Sequence, residues 1–314
     1  MALRAWSWAV FGTVVLGLLA LDLFVFHHRA RRERLRTAVW WSVFWVGLGL
    51  SFSLFVAATR GGEAALAYLT AFLIEKSLSV DNLFVFLALF TYFGIEERYQ
   101  HWVLFWGILG ALLTRGAFIF AGVALLTRFH WLIYILGAVL IGTGARLGLG
   151  HSEDVHPERN VVVRAASRVL PVLRSYKGQG FVVRRNKRWW VTPMLLVLLA
   201  IESTDLMFAV DSVPAVLAVS RDVFVVYSSN IFAILGLRAL YFVLAGVMRE
   251  LRFLKPALAV VLMVIGAKML LEEVVQIPTV VSLVVVAAVL GVASLASLLF
   301  PDGNSEADGG GAKD

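Results

Sequence analysis

Apolar runs of about 19 to 30 residues recur along the chain, each closed by a short polar or basic break. This pattern predicts an all-α, polytopic membrane protein with about nine transmembrane helices, since a hydrocarbon layer takes about 20 helical residues to cross. The runs cover residues 6–26, 38–58, 64–93, 102–126, 131–149, 193–219, 223–248, 256–275 and 277–300. The third is longer than a bilayer needs, so it is expected to tilt or to break near Asp81 and Asn82. Two runs carry acids in their middles: IEKSLSVDNLFVF at 74–86 and IESTDLMFAVDSVPA at 201–215. An ionisable group at that depth costs on the order of 3 kcal/mol on the mildest insertion scale. Glu75, Asp81, Glu202, Asp205 and Asp211 therefore need a shared ion, a proton or a cationic partner.

The two acidic stretches are one motif written twice. Aligning Asp81 with Asp211 matches Glu75 to Asp205 and Asn82 to Ser212, while Glu202 falls opposite Phe72. The likeness continues outward. TRGAFIFAG and LRALYFVLAG align Arg115 with Arg238, and GTGARLGL and VIGAKMLL align Arg146 with Lys268. Three matched spans in matched order predict a duplication, and an odd number of spans per copy makes the copies inverted. Inverted repeats place a substrate site at their interface near the midplane. The expected organisation is two peripheral helices with a basic loop (1–62), a first three-helix repeat (63–149), a basic loop (150–191), a second, inverted repeat (192–276), a last span (277–300) and a disordered tail (301–314).

Composition agrees: 60% of residues are hydrophobic, 16% are charged, and mean hydropathy is +0.85. The net charge of +7 would suggest nucleic acid in a soluble protein. Here it falls in loops, where the orientation rule accounts for it, and no nucleic acid is expected. Odd-numbered loops hold eighteen Lys or Arg and even-numbered ones only Arg60, Arg128 and Arg221. That puts the N-terminus outside and the C-terminus in the cytoplasm. The first run precedes its arginines, the reverse of a secretory signal, so it is expected to be retained. Asp22, near its inner end, is read as reaching Arg29 or Arg31. Loop 150–191 is expected to hold a surface amphipathic helix over 160–170, with a protein partner or the lipid bilayer as docking candidates.

The acids point to a hard cation. Glu75, Asp81, Asn82, Glu202, Asp205, Asp211 and Ser212 offer oxygen donors, the Asn nitrogen apart, and Mn²⁺, Mg²⁺ and Ca²⁺ take oxygen. There is no cysteine, and all six histidines lie at helix ends or in loops. Zinc and copper therefore lose ground. Glu75 and Asp81 are six residues apart, about 120° around a straight helix, and a break would bring them together. Pro214 would kink or open the second copy and free carbonyls. Lys76, Arg115, Arg238 and Lys268 are ion-pair or gating candidates, with static pairs favoured for the two arginines. Lys268 and Arg146 lie nearer helix ends, where they can snorkel. Glycines 107, 110, 137, 142 and 144 are expected to allow close helix packing. A two-aspartate protease would leave the other acids and the matched bases unexplained, so no enzyme activity is expected.

The two stretches EKSLSVDNLFVF and ESTDLMFAVDSVPA, with a basic loop between them, resemble the TerC family of bacterial integral membrane proteins over residues 35–300. Members are named for tellurium resistance and include exporters of divalent metal, chiefly manganese, related to the lysine-exporter superfamily. The resemblance implies a metal-ion exporter of the bacterial inner membrane, with the family's acids at Glu75, Asp81, Asp205 and Asp211. Mn²⁺ or another divalent cation is then transported, protons are the counter-ion, and no cofactor is tightly bound. The alternative is a membrane-embedded assembly or metalation factor for secreted or membrane proteins, docking through loop 150–191.

Overall fold

The computed structural model describes residues 2–27, 35–129, 131–149, 161–173, 180–185, 188–247, 253–271, 274 and 278–299. The tail 301–314, the arginines of 28–34 and the first part of loop 150–191 lie outside these residues. Within them the chain is helical apart from one hairpin. Helices α1 (Ala2–His27) and α2 (Leu35–Arg60) lead into α3 (Gly62–Tyr92), α4 (Glu97–Arg128) and α5 (Leu132–Gly148). A short α6 (Val161–Val169) and the hairpin β1 (Val182–Arg185) and β2 (Arg188–Val191) follow. Then come α7 (Pro193–Leu217), α8 (Val223–Ile234), α9 (Leu237–Val247), α10 (Leu254–Leu270) and α11 (Thr279–Leu299).

Among the described residues, six segments are long and apolar enough to cross a membrane: α1, α2, α4, α7, α8 with α9, and α11. Helix α3 is longer than most of these but carries Glu63, Glu75, Lys76 and Asp81. Helices α5 and α10 have 17 residues each, about 25 Å of rise. The protein is thus multi-pass, with fewer spans marked by length and hydropathy than the nine expected.

Two expectations about helix continuity change. Helix α3 runs unbroken through Asp81 and Asn82. Between Glu63 and Phe93 it has neither Gly nor Pro, so no backbone donor is missing and no residue invites a kink. The break lies instead in the run 223–248, which parts into α8 and α9 at Leu235 and Gly236. A Cβ at Gly236 would stand 2.6 Å from Trp45 Cβ and 3.2 Å from Lys76 Nζ. Only glycine lets α2 and α3 approach that closely. The break also frees the Ala233 carbonyl, which accepts from Lys76 Nζ at 3.0 Å. Helix α7 continues through Pro214.

Packing follows a pattern of exchange. Helix α4 lies on α7 as α3 lies on α8; α5 lies on α7 as α10 lies on α3; α3 meets α7, and α5 meets α10. Swapping α3 for α7, α4 for α8–α9 and α5 for α10 maps this set onto itself. The α5–α10 contact shows it in detail. A Cβ on Gly137 would lie 3.0 Å from the Gly266 carbonyl, and one on Gly144 would lie 2.8 Å from that of Ala259. The shift that aligns Arg146 with Lys268 also aligns Gly137 with Ala259 and Gly144 with Gly266, so the two contacts are images of each other. Gly107 and Gly110 likewise face α7 closely, but a Cβ on Gly142 would meet nothing within 4 Å. Gly142 therefore does not have the packing role expected of it.

Helix α1 is fastened laterally: Phe11 and Trp8 meet Phe224, Phe52 and Tyr227 edge-on or tilted. Helix α11 covers α3 and α10. The result buries α3, α7 and α8 in the middle of the bundle, where the acidic motifs lie.

Candidate functional site

On an unbroken helix, positions seven apart return to nearly the same face. Each motif copy therefore presents a stripe of its acid with the small oxygen-bearing residue seven later: Glu75 with Asn82 on α3, and Asp205 with Ser212 on α7. All four are buried. Ser79, one turn beyond Glu75, is fully buried, and its Oγ has no hydrogen-bond partner among the described residues.

The two stripes meet at Arg115 of α4, which has no solvent exposure. Its guanidinium holds Asp205 through two bonds, Nη2 to Oδ1 at 2.8 Å and Nε to Oδ2 at 3.2 Å. It also donates through Nη1 to Glu75 Oε1. Ser212 Oγ and Asn230 Oδ1 lie at 3.4 and 3.5 Å from the same nitrogen. Asn230, on α8, donates from Nδ2 to Glu75 Oε2 at 3.0 Å. One arginine thus joins the equivalent acids of both motif copies. Formally the cluster of two carboxylates and one guanidinium carries one negative charge.

Away from water, such a cluster holds only because each group is matched: removing one member would strand the others in low dielectric. The atoms that accept from the guanidinium are all oxygens. Among the described residues no three His, Asp or Glu side chains gather into a ready-made metal cluster. A cation entering between Glu75 and Asp205 has to displace Arg115.

The remaining expected residues take separate places. Asp211 is half-buried and accepts from Thr143 Oγ1 of α5 at 3.0 Å. Consecutive acids of α7 thus face different helices, Asp205 toward α4 and Asp211 toward α5. The side chain of Asp81 lies outside the described part. Glu202 rests against Gly110 of α4, so closely that a Cβ there would fall 2.0 Å from Glu202 Oε1. Lys76 serves the helix break described above, and Lys268 donates to Ser282 Oγ of α11 at 2.9 Å.

Arg238 does pair with a carboxylate, though not with one in the motifs. Its Nη2 reaches Asp22 Oδ1 at 2.5 Å and the Asp22 carbonyl at 2.9 Å. Arg29 and Arg31, toward which Asp22 is expected to turn, lie outside the described residues; the bond to Arg238 joins α1 to α9. Asn230 was not foreseen. The signal was there, an amide in the middle of the apolar run VFVVYSSNIFAI, but only the fold shows which acid it faces.

Similar proteins align with this chain over most of its length. A myxobacterial protein of Myxococcus xanthus named "Uncharacterized membrane protein STKORF319" is 47% identical over 292 residues, covering 93% of this chain and 92% of its own. The Salmonella typhi protein named "Putative membrane-bound redox modulator Alx" is 43% identical over 292 residues, covering 90% and 91%. A membrane protein of Rickettsia bellii is 36% identical over 293 residues, covering 93% and 97%. No solved structure matches. The pattern of the family described as "Integral membrane protein TerC family" fits residues 60–304, a stretch that holds both acidic motifs, Arg115 and Asn230. The chain belongs to the TerC family of integral membrane proteins.

Proposed function

We propose that the protein is a transporter that exports divalent metal ions, Mn²⁺ foremost, in exchange for protons, from the cytoplasm across the bacterial inner membrane. The observation that carries this reading is the meeting of Glu75 and Asp205, one from each motif copy, at a single buried arginine. Arg115 acts as a tethered cation that occupies the site between transport cycles. A divalent ion arriving between α3, α4 and α7 takes the two carboxylates from the guanidinium. Oxygens from Asn82, Ser212, Asn230 and Ser79 replace part of its water.

The exchange pattern of helix packing supports an inverted duplication, with α3, α5 and α10 also spanning the membrane to give nine crossings. Two equivalent halves hinged about a shared site can tilt one way or the other and open it to each face in turn. In the present arrangement Arg115 holds both acids and Arg238, its counterpart, holds Asp22. Protonation of the carboxylates on the outer side, or return of the guanidinium, then releases the ion. The basic asymmetry of the loops supports an outward N-terminus and a cytoplasmic C-terminus.

The redox role in the name of the enteric relatives would need chemistry other than a thiol here, because the chain has no cysteine. Mn²⁺ binding to the purified protein, followed by calorimetry, tests the site. Glu75→Gln and Asp205→Asn should each weaken binding at least tenfold. Unchanged affinity in both would remove these residues from the site.

A further inference from the structure

The segment after α6 is built to stay in one place. Val191 donates to the Pro171 carbonyl and accepts from the Leu173 amide, both at 2.9 Å. The Thr192 hydroxyl, fully buried, donates to the Gly180 carbonyl at 2.8 Å, and its amide donates to that of Phe181 at 3.0 Å. The next residue, Pro193, opens the membrane helix α7. Phe181 also meets the ring of Trp106 on α4 edge to face. The hairpin is therefore fixed to the end of the bundle where α7 begins, with Trp189 four residues, roughly 13 Å of extended chain, from the helix.

Two features of this segment bear on what it meets. Residues 161–191 contain eight Lys or Arg and no Asp or Glu, and among the described residues Arg164, Arg168, Arg184 and Arg188 are exposed. Apolar side chains remain uncovered beside it: Trp189 is 64% exposed, Val169 80%, Val182 44% and Val162 43%. On α6 the Val162 and Val169 positions fall within one narrow arc, and Arg164 and Arg168 on the opposite one. On the hairpin, Arg184 faces Trp189 across the strands, with the guanidinium over the indole at 5.9 Å.

We propose that α6 and the hairpin are a docking surface for anionic phospholipid headgroups, lying flat on the membrane beside α7. Charge complementarity selects the occupant. A surface with four exposed arginines, Arg164, Arg168, Arg184 and Arg188, and no acid among the described residues of 161–191 suits phosphodiester oxygens, and its exposed Trp and Val side chains suit the layer just below them. Continuity with α7 brings both to that depth without any movement of the chain. The surface is separate from Arg115 and the acids, so it stands whether or not the protein carries metal.

The absence of cysteine makes a direct test possible. Trp189→Cys and Val169→Cys, each spin-labelled in the full-length protein, are compared in nanodiscs of phosphatidylcholine alone and of phosphatidylcholine with phosphatidylglycerol. With phosphatidylglycerol, both labels should lose access to a water-soluble nickel chelate and gain access to oxygen, each several-fold. Adding Arg184→Glu and Arg188→Glu should restore the phosphatidylcholine values. Labels that stay open to the chelate in both membranes would overturn the proposal. So would equal shielding in both membranes, which would mean apolar contact without headgroup recognition, or shielding that appears only when a second protein is added.

Discussion

Arg115 is the residue on which most depends, because it is the only cation bonded to Glu75 and Asp205 among the described residues. Its replacement by Met leaves two buried carboxylates without a counter-charge, and breaking a buried pair in this way costs about 3–5 kcal/mol. Thermal unfolding in detergent should show that loss. Adding Glu75→Gln and Asp205→Asn should recover most of the stability while transport stays absent, since the charges are then gone along with the site. A single Arg115→Met protein as stable as wild type would mean that the acids are neutral or otherwise held. Gly110 offers a milder probe. Alanine there favours the helix by about 0.5–1 kcal/mol but forces the Glu202 carboxylate to move, since it would fall 2.0 Å from the new Cβ. The melting temperature should hold or rise while transport slows. Wild-type transport would show that the seating of Glu202 does not matter.

At the level of the helices, the α5–α10 contact is the clearest mark of how closely the two halves meet. Backbone carbonyls stand within 3.0 Å of where side chains would begin at Gly137, Gly144 and Gly266. Gly144→Ala should therefore lower the melting temperature by several degrees, whereas Gly142→Ala, with open space around it, should leave it unchanged or raise it. Equal effects would mean that the helices are not held together by this contact. The element scale also shows what a sequence can and cannot carry. Hydropathy and Pro193 placed α7 to within two residues, and helix periodicity placed α6. The break at Gly236 was hidden because α8 and α9 form one unbroken apolar run, and a glycine in such a run is ambiguous until a neighbour's approach is seen. The hairpin was missed for another reason. VVRR and RWWV are too short and too charged to read as strands, and they pair because Thr192 and Pro171 anchor their ends. The acids and Arg115 were visible as charges in apolar helices. The Asp22–Arg238 bond was not, because its partners are 216 residues apart and nothing local couples them.

The described residues form a membrane bundle in which several contacts of α3, α4 and α5 correspond to those of α7, α8–α9 and α10, with α1, α2 and α11 around these two sets. Its buried charges sit where the sets meet, an arrangement that structural stability alone does not require: apolar residues of like volume would hold such a core at least as well. The proposed exchange of one cation for another at this site would give the charges a role. The most direct measurement follows Mn²⁺ flux into proteoliposomes together with lumenal pH, for wild type, Asp205→Asn and Asp211→Asn. Mn²⁺ and protons moving in opposite directions in the wild type, with flux abolished by Asp205→Asn and reduced by Asp211→Asn, is the predicted result. A wild-type protein that carries no divalent ion under any gradient, or an Asp205→Asn protein that carries it normally, would contradict the account.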